Sequence, residues 1–146
     1  MNIVLLGIPG SGKGTQAEIM AKRYNLAIFE MGDEFRRLAK EDNKLGHQIK
    51  SIIEHGKLVP AKTVIEVLNG FLENIPAHQA IIFDGVPRNQ EQQRAFNRLL
   101  KQKKRKFQVI NIEIPEDETI KRLMLRKRHD DTPEIIKQRI KIFQKN

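Results

Sequence analysis

The first fifteen residues join an aliphatic run to a loop that is rich in glycine. Ile3-Val4-Leu5-Leu6 leads into Gly7-Ile8-Pro9-Gly10-Ser11-Gly12-Lys13-Gly14-Thr15, which fits the pattern G-x-x-x-x-G-K. An aliphatic run that ends at glycine is typical of a strand buried on both faces of a parallel sheet. The loop can wrap its backbone N–H groups around a phosphate while the lysine reaches the outer oxygens. This opening therefore predicts an α/β domain with a phosphate site.

The rest of the chain alternates between strand and helix patterns in the way such a domain requires. Apolar runs at 26–29, 80–83 and 107–114 predict three more strands. The last run alternates along part of its length, which suggests an edge strand or one with a half-exposed face. A 3.6-residue period at 17–24 and 64–72 predicts helices, and further helices are expected after Pro115 and Pro133. The alternation favours helices packed around a parallel sheet.

Length and composition narrow the class of protein. The chain has 146 residues, which suits one domain with one core. No apolar run approaches the roughly 18 residues of a membrane span, so we expect no membrane association. The N-terminal run lacks the features of a signal peptide, and there is no cysteine, so we expect a cytoplasmic protein without disulfides.

The positive charge lies mostly in the C-terminal third. Lys and Arg number 27 against 18 Asp and Glu, a net charge of +9. Residues 1–100 hold 13 basic and 11 acidic side chains, whereas residues 101–146 hold 14 and 7. A focused positive field attracts polyanions, either nucleic acid or nucleotide phosphates. Nucleic acid is the less favoured partner, because the lysine-rich run at 101–106 has no interleaved aromatic residues.

The phosphate loop departs from its commonest form because Gly14 stands where a serine or threonine usually binds the metal. We therefore expect Mg²⁺ to be held mainly by nucleotide phosphates and water. The sequence Gly-Lys-Gly-Thr preceded by Pro-Gly-Ser resembles the P-loop of the nucleoside monophosphate kinases, and of the adenylate kinases among them. The resemblance implies that ATP is bound by Gly10, Ser11, Gly12, Lys13, Gly14 and Thr15.

Three further segments resemble the acceptor site of that family. They are Met31-Gly32-Asp33-Glu34-Phe35-Arg36, Gly56-Lys57-Leu58-Val59-Pro60 and Asp84-Gly85-Val86-Pro87-Arg88. The resemblance implies that Arg36 and Arg88 bind the phosphate of AMP, and that Asp84 orients Mg²⁺ through water. It also implies AMP contacts from Met31, Gly32, Lys57, Leu58, Val59 and Gly85.

The identity of the acceptor base depends on Gln92, four residues after Arg88. Adenylate kinases carry a glutamine at the matching position, whereas UMP and CMP kinases carry asparagine. An amide both donates and accepts, which suits the edge of adenine. We therefore favour AMP as the acceptor, with a UMP/CMP kinase as the alternative.

Arginines account for much of the C-terminal charge. The resemblance implies that Arg122 and Arg126 bind ATP, that Arg126, Arg128 and Arg139 act with Lys13 and Arg88 in catalysis, and that Arg128 and Arg139 also contact AMP. It implies that Asp130 and Asp131 hold these arginines in a short lid at about 122–131. Many family members insert a longer lid there, some with zinc, and no zinc is expected here.

The resemblance covers nearly the whole chain. It implies a P-loop NTPase-type parallel sheet sandwiched by helices, in one domain at 1–146 with a helical monophosphate-binding insertion at about 30–60. Family members continue past the matching position of Asn146, so we consider a fragment or a sheet with an exposed edge. The expected reaction is ATP plus AMP giving two ADP, catalysed by a monomer. The alternative from another class is a truncated P-loop module that binds nucleotide without turnover.

Overall fold

Strand β1 (Asn2–Leu6) lies in the interior of a four-stranded parallel sheet whose order is β2-β3-β1-β4. The structure is a computed structural model that describes residues 1–126, 128 and 131–145. The remaining strands are β2 (Ala27–Glu30), β3 (Ile81–Asp84) and β4 (Phe107–Asn111). Strand β3 is buried along its whole length, because it has strands on both sides and helices on both faces.

Seven helices connect and cover these strands within the described residues. Helices α1 (Lys13–Tyr24), α2 (Met31–Leu38) and α3 (Lys44–Glu54) come first in the chain. They are followed by α4 (Ala61–Glu73), α5 (Gln90–Gln102), α6 (Glu116–Arg126) and α7 (Pro133–Lys145). No helix in these described ranges is long and apolar enough to cross a bilayer.

The strand order brings the functional segments to one edge of the sheet. The chain runs from β1 out to β2, returns to β3, and then crosses to β4 on the other side of β1. All pairs are parallel, and the register aligns Glu30 with Asp84 and Leu5 with Asp84. In such sheets the ligand crevice forms outside the carboxyl ends of the strands, where the order reverses. The segments that follow β1, β2 and β3 all begin there.

The core lies in three clusters. The largest lies on one face of the sheet, where α4 and α5 pack, and a row of phenylalanine rings runs through it. Phe29, Phe83, Phe96 and Phe107 follow one another with ring centroids 5.2 to 6.3 Å apart. Helix α1 covers the other face. In the third cluster, Ile8 of the P-loop packs against α6 and α7.

The observed strands differ slightly from the expected ones. β2 and β3 begin and end one residue later than the apolar runs, so Glu30 and Asp84 belong to their strands. β4 is shorter than the predicted 107–114, because pairing ends with the Ile112 N–H donating to the Leu6 carbonyl at 2.8 Å. β4 is an edge strand, as the alternation predicted.

A candidate active site at the carboxyl edge of the sheet

A cavity of about 570 Å³ opens at the carboxyl ends of β1, β2 and β3. Its wall includes residues of the P-loop, of the segments that follow β2 and β3, and of α7. Most of its charged side chains are basic, which favours an anionic ligand. The charged residues that line it are Lys13, Glu30, Arg36, Lys57, Asp84, Arg88, Arg126, Arg128 and Arg139.

The P-loop holds its shape through backbone conformations that favour glycine. Gly10 and Gly12 have φ values of +85° and +94°, in the left-handed region. A Cβ at Gly10 would also lie 2.8 Å from Cγ of Leu123 and 3.0 Å from the Thr119 carbonyl oxygen. The predicted ATP residues 10–15 thus form one loop that runs into α1 and packs against α6.

Lys13 lies at the centre of this loop. Its Nζ donates to the carbonyl oxygens of Gly7 and Ile8, at 2.7 and 3.0 Å. Burial lowers the pKa of Lys13 to about 8, while the negative charge of Asp84 acts in the opposite direction. The ammonium group is therefore protonated at neutral pH and close to the groups that would bind phosphate.

Two arginines face the cavity from the acceptor segments. Arg36 pairs with Glu30, at 3.4 Å between Nη2 and Oε1, and also with Asp33. Arg88 donates from Nε to the Gly85 carbonyl oxygen at 2.7 Å, which holds its side chain over the loop after β3. The two arginines that were predicted to bind one phosphate therefore line the same cavity from different elements.

Three carboxyl groups lie among these cations. Burial raises the pKa of Asp84, against the opposing charge of Lys13. Burial also raises the pKa of Glu30 to about 7, helped by a hydrogen bond and charge repulsion from Asp33. Burial alone would raise the pKa of Asp33, but hydrogen bonds from Glu30 and Arg36 lower it. At neutral pH, Asp33 is therefore the carboxylate and Glu30 its partly protonated partner.

Asp131 holds together an arginine at the end of α6 and an arginine of α7. Its side chain is 1% exposed and accepts from Arg126 at 2.8 and 2.9 Å and from Arg139 at 2.9 Å. Arg128 reaches toward β2, with Nη2 3.7 Å from Glu30 Oε1. Asp130 lies outside the described residues. The carboxylate of Asp131 thus joins the end of α6 to α7 and presents two guanidinium groups to the cavity.

Arg122 takes a different place. It pairs with Glu118 at 2.8 Å, and its Nη1 would lie 3.9 Å from a Cβ at Gly12. It is therefore next to the P-loop, but it is not among the described residues that line the cavity.

Comparison with known proteins identifies the family of this chain. The family model described as adenylate kinase matches residues 5–146. An adenylate kinase of Parabacteroides distasonis is 37% identical, over 98% of this chain and 78% of the relative. One of Dehalococcoides mccartyi is 36% identical, over 97% of this chain and 80% of the relative, and one of Staphylococcus aureus is 39% identical, over 84% and 58%. The chain belongs to the adenylate kinase family.

Family membership supports adenylate kinase over the two alternatives raised by the sequence, a UMP/CMP kinase and a module without turnover. It makes the chain an ATP:nucleoside-monophosphate phosphotransferase, with the P-loop and transferase character of that family. The four-stranded parallel sheet between helices is the fold expected of an adenylate kinase.

Some of the residues that are predicted to contact AMP do not line the cavity. Gly32, Lys57, Leu58 and Gly85 line the cavity, together with the arginines. Met31, Val59 and Gln92 are not among the described residues that line the cavity, and each of them is at most 4% exposed. Their contacts with AMP stay predictions.

Gln92 is engaged with the backbone. Its Nε2 donates to the Val59 carbonyl oxygen at 3.0 Å, and its Oε1 accepts from the Arg88 N–H at 2.8 Å. Its own N–H donates to Asn89 Oδ1 at 2.8 Å, which caps α5. The amide therefore ties the turn before α4 to the loop that carries Arg88.

The cavity also contains residues that the sequence patterns did not single out. Glu30 ends β2, and its position directly before the Met31–Arg36 segment was the one signal that could have found it. Ile142 and Phe143 of α7 line the cavity as well. Nothing in the local sequence indicates their role, because it depends on how α7 packs.

Asp84 is the residue that could help to hold a magnesium ion. Its Oδ2 would lie 3.7 Å from a Cβ at Gly14, so the carboxylate faces the first turn of α1. In the described part of the chain, no group of three or more His, Asp or Glu side chains could hold a metal ion by itself. One buried carboxylate fits an ion that keeps most of its waters and binds the phosphates of a nucleotide, which is how Mg²⁺ is usually held.

Proposed function

We propose that this chain transfers the γ-phosphoryl group of ATP to AMP and so produces two ADP. The observation that carries the proposal is that Lys13, Arg36, Arg88, Arg128 and Arg139 line one cavity although they come from five separate segments. A P-loop lysine and four converging guanidinium groups fit two phosphate chains that meet end to end.

On the donor side, the backbone N–H groups of the loop from Gly10 to Thr15 and the N-terminus of α1 would bind the phosphates of ATP. Lys13 would turn from its carbonyl partners to the β and γ oxygens. Arg122, next to Gly12, and Arg126, at the cavity wall, would contact ATP from α6.

On the acceptor side, Arg36 and Arg88 would bind the phosphate of AMP. The base and ribose would lie toward Lys57, Leu58 and the aromatic ring of Phe143, which is 42% exposed and lines the same cavity. The helices within residues 30–60 would form the acceptor-binding part of the domain.

The reaction needs no general base. An oxygen of the AMP phosphate attacks the γ-phosphorus in line, and the bond to the oxygen that bridges the β and γ phosphates breaks. Negative charge is spread over three oxygens of the transferred group, and Arg126, Arg128 and Arg139 would stabilise it. Mg²⁺ bound with ATP would supply further charge neutralisation, with Asp84 holding one of its waters.

Exclusion of water would depend on the residues around Asp131. Water in the place of AMP would hydrolyse ATP, so the arginines have to close over the phosphates. Asp131, at the end of the lid predicted at about 122–131, pairs with Arg139 of α7. We further propose that the chain acts as a monomer and that the reaction takes place in the cytoplasm.

The test is a panel of acceptors. ADP formation is measured with ATP and Mg²⁺ and with AMP, UMP or CMP as the acceptor. We expect turnover with AMP at least about tenfold faster than with the pyrimidine monophosphates, a difference of about 1.4 kcal/mol. Preference for UMP or CMP would overturn the acceptor assignment, and ATP binding without any ADP formation would overturn the reaction.

A further inference from the structure

Glu30 is a cavity residue to which neither the motifs nor the proposed reaction assigns a task. It is the last residue of β2 and directly precedes α2, but its side chain makes no capping bond with that helix. Acidic side chains at a helix N-terminus usually interact with the N–H groups there. The Glu30 side chain lies at the cavity wall instead.

Its carboxyl group contacts two cations of the cavity. Oε1 is 3.4 Å from Nη2 of Arg36 and 3.7 Å from Nη2 of Arg128. The side chains of Glu30 and Arg36 are 24% and 18% exposed, so water screens their attraction less than at an open surface. Asp33 also pairs with Arg36, and its Oδ1 lies 3.9 Å from Nη2 of Arg128.

We propose that Glu30 sets the affinity of this site for its acceptor by competing with the acceptor phosphate for Arg36 and Arg128. The inference rests on the proposed function, in which these arginines bind the acceptor phosphate and the transferred group. Carboxylates and phosphates accept hydrogen bonds from the same guanidinium N–H groups.

Competition with Glu30 weakens the binding of the phosphate. A phosphate dianion within hydrogen-bond distance of Arg36 also comes close to the carboxylate of Glu30, and like charges at that distance repel. The phosphate has to displace Glu30 from both arginines, while Asp33 keeps its own contacts with them. The site therefore binds a phosphate monoester less tightly than its arginines alone would allow.

Glu30→Gln tests this with a side chain of the same shape and no charge. Binding of AMP is measured by titration calorimetry at about pH 8, where the phosphate is a dianion. We expect the variant to bind AMP about fivefold more tightly than the parent chain, the effect of one partly screened charge pair. The KM for AMP should fall in the same proportion.

Two controls isolate the phosphate contact. Glu34→Gln removes one charge from α2, where Glu34 pairs with Arg37 and neither residue lines the cavity, so AMP affinity should not change. Adenosine has no phosphate, so its affinity should be the same for Glu30→Gln and the parent. If Glu30→Gln does not fold, Glu30→Asp takes its place as the test. This variant keeps the charge but shortens the side chain, so we expect a smaller gain in AMP affinity.

The outcomes separate the two proposals. If the parent chain forms no ADP from ATP and AMP, the proposed reaction is wrong. The calorimetry with AMP still tests whether Glu30 weakens AMP binding. Equal or weaker AMP binding by Glu30→Gln would overturn the competition. So would an equal gain in Glu34→Gln or with adenosine, because the effect would then not act through the acceptor phosphate.

Discussion

Asp131 accepts two parallel hydrogen bonds from Arg126, from Nε to Oδ2 at 2.8 Å and from Nη2 to Oδ1 at 2.9 Å. This forked geometry fixes the plane of the guanidinium group as well as its position. Because Asp131 also accepts from Arg139, one buried carboxylate sets the spacing of two arginines at the cavity.

Asp131→Asn should lower turnover by about tenfold or more and destabilise the fold by about 1–3 kcal/mol, since it removes the buried charge that accepts hydrogen bonds from both arginines. ADP formation and urea denaturation measure the two effects. Glu118→Gln is the matched control, because it breaks the exposed pair with Arg122 and should cost less than about 1 kcal/mol. Equal effects of both variants would show that the fork at Arg126 has no special role.

Lys13→Met should reduce turnover by about a thousandfold while the fold is retained, because the lysine charge is needed on the phosphates as the transition state forms. Initial rates of ADP formation measure the loss, and circular dichroism checks the fold. Lys22→Met changes an exposed lysine in the last turn of the same helix and should keep full activity. A Lys13→Met enzyme with more than about a tenth of normal turnover would contradict this role.

Stability should depend on pH through Glu30. Its folded pKa of about 7 lies above the ordinary 4.5, so between these values the folded state binds more protons than the unfolded state. The free energy of unfolding therefore falls as the pH rises through this window, and the cost is fully present above pH 7. Glu30→Gln lacks this cost. The difference in the free energy of unfolding between Glu30→Gln and the parent chain should therefore be more favourable to the variant at pH 8 than at pH 5, by about 1 kcal/mol after allowance for solvent screening. Urea denaturation at both pH values measures the gain, and a constant difference would refute the assignment.

Gln92→Leu should destabilise the fold by about 1–3 kcal/mol, because the Val59 carbonyl and the Arg88 N–H both lose a buried partner. The same variant also tests whether the Gln92 amide contacts the base of the acceptor, through the turnover of AMP compared with that of CMP. If the amide stays with the backbone when AMP binds, both acceptors lose activity equally. A selective loss of AMP activity would show that the amide turns to the base. Gln102→Leu, at an exposed position at the end of the same helix and outside the cavity lining, is the control.

Several parts of the fold and site follow from local sequence. The P-loop was predictable because its glycines, lysine and preceding strand are contiguous, and their backbone requirements are local. The strands were predictable to within a residue at most ends because β1, β2 and β3 are short apolar runs. The exception was β4, whose end is set by where its partner β1 ends at Leu6 and not by its own apolar pattern.

Other features depend on contacts between distant residues. The partners of Gln92 and Glu30 are Val59 and Arg128, which are 33 and 98 residues away in the chain. No local pattern records that Gln92 ties two loops together or that Glu30 faces two arginines. The same holds for Phe143, which reaches the cavity because α7 packs against α6 and the P-loop.

The sequence by itself determined that this chain binds phosphate on a parallel sheet and that it resembles the nucleoside monophosphate kinases, because those properties are written in contiguous motifs. Only the tertiary structure decided which charged groups face one another within the cavity. The reason is physical: the strand order β2-β3-β1-β4 brings the ends of separate segments together, and burial there alters the pKa of Lys13, Glu30 and Asp84.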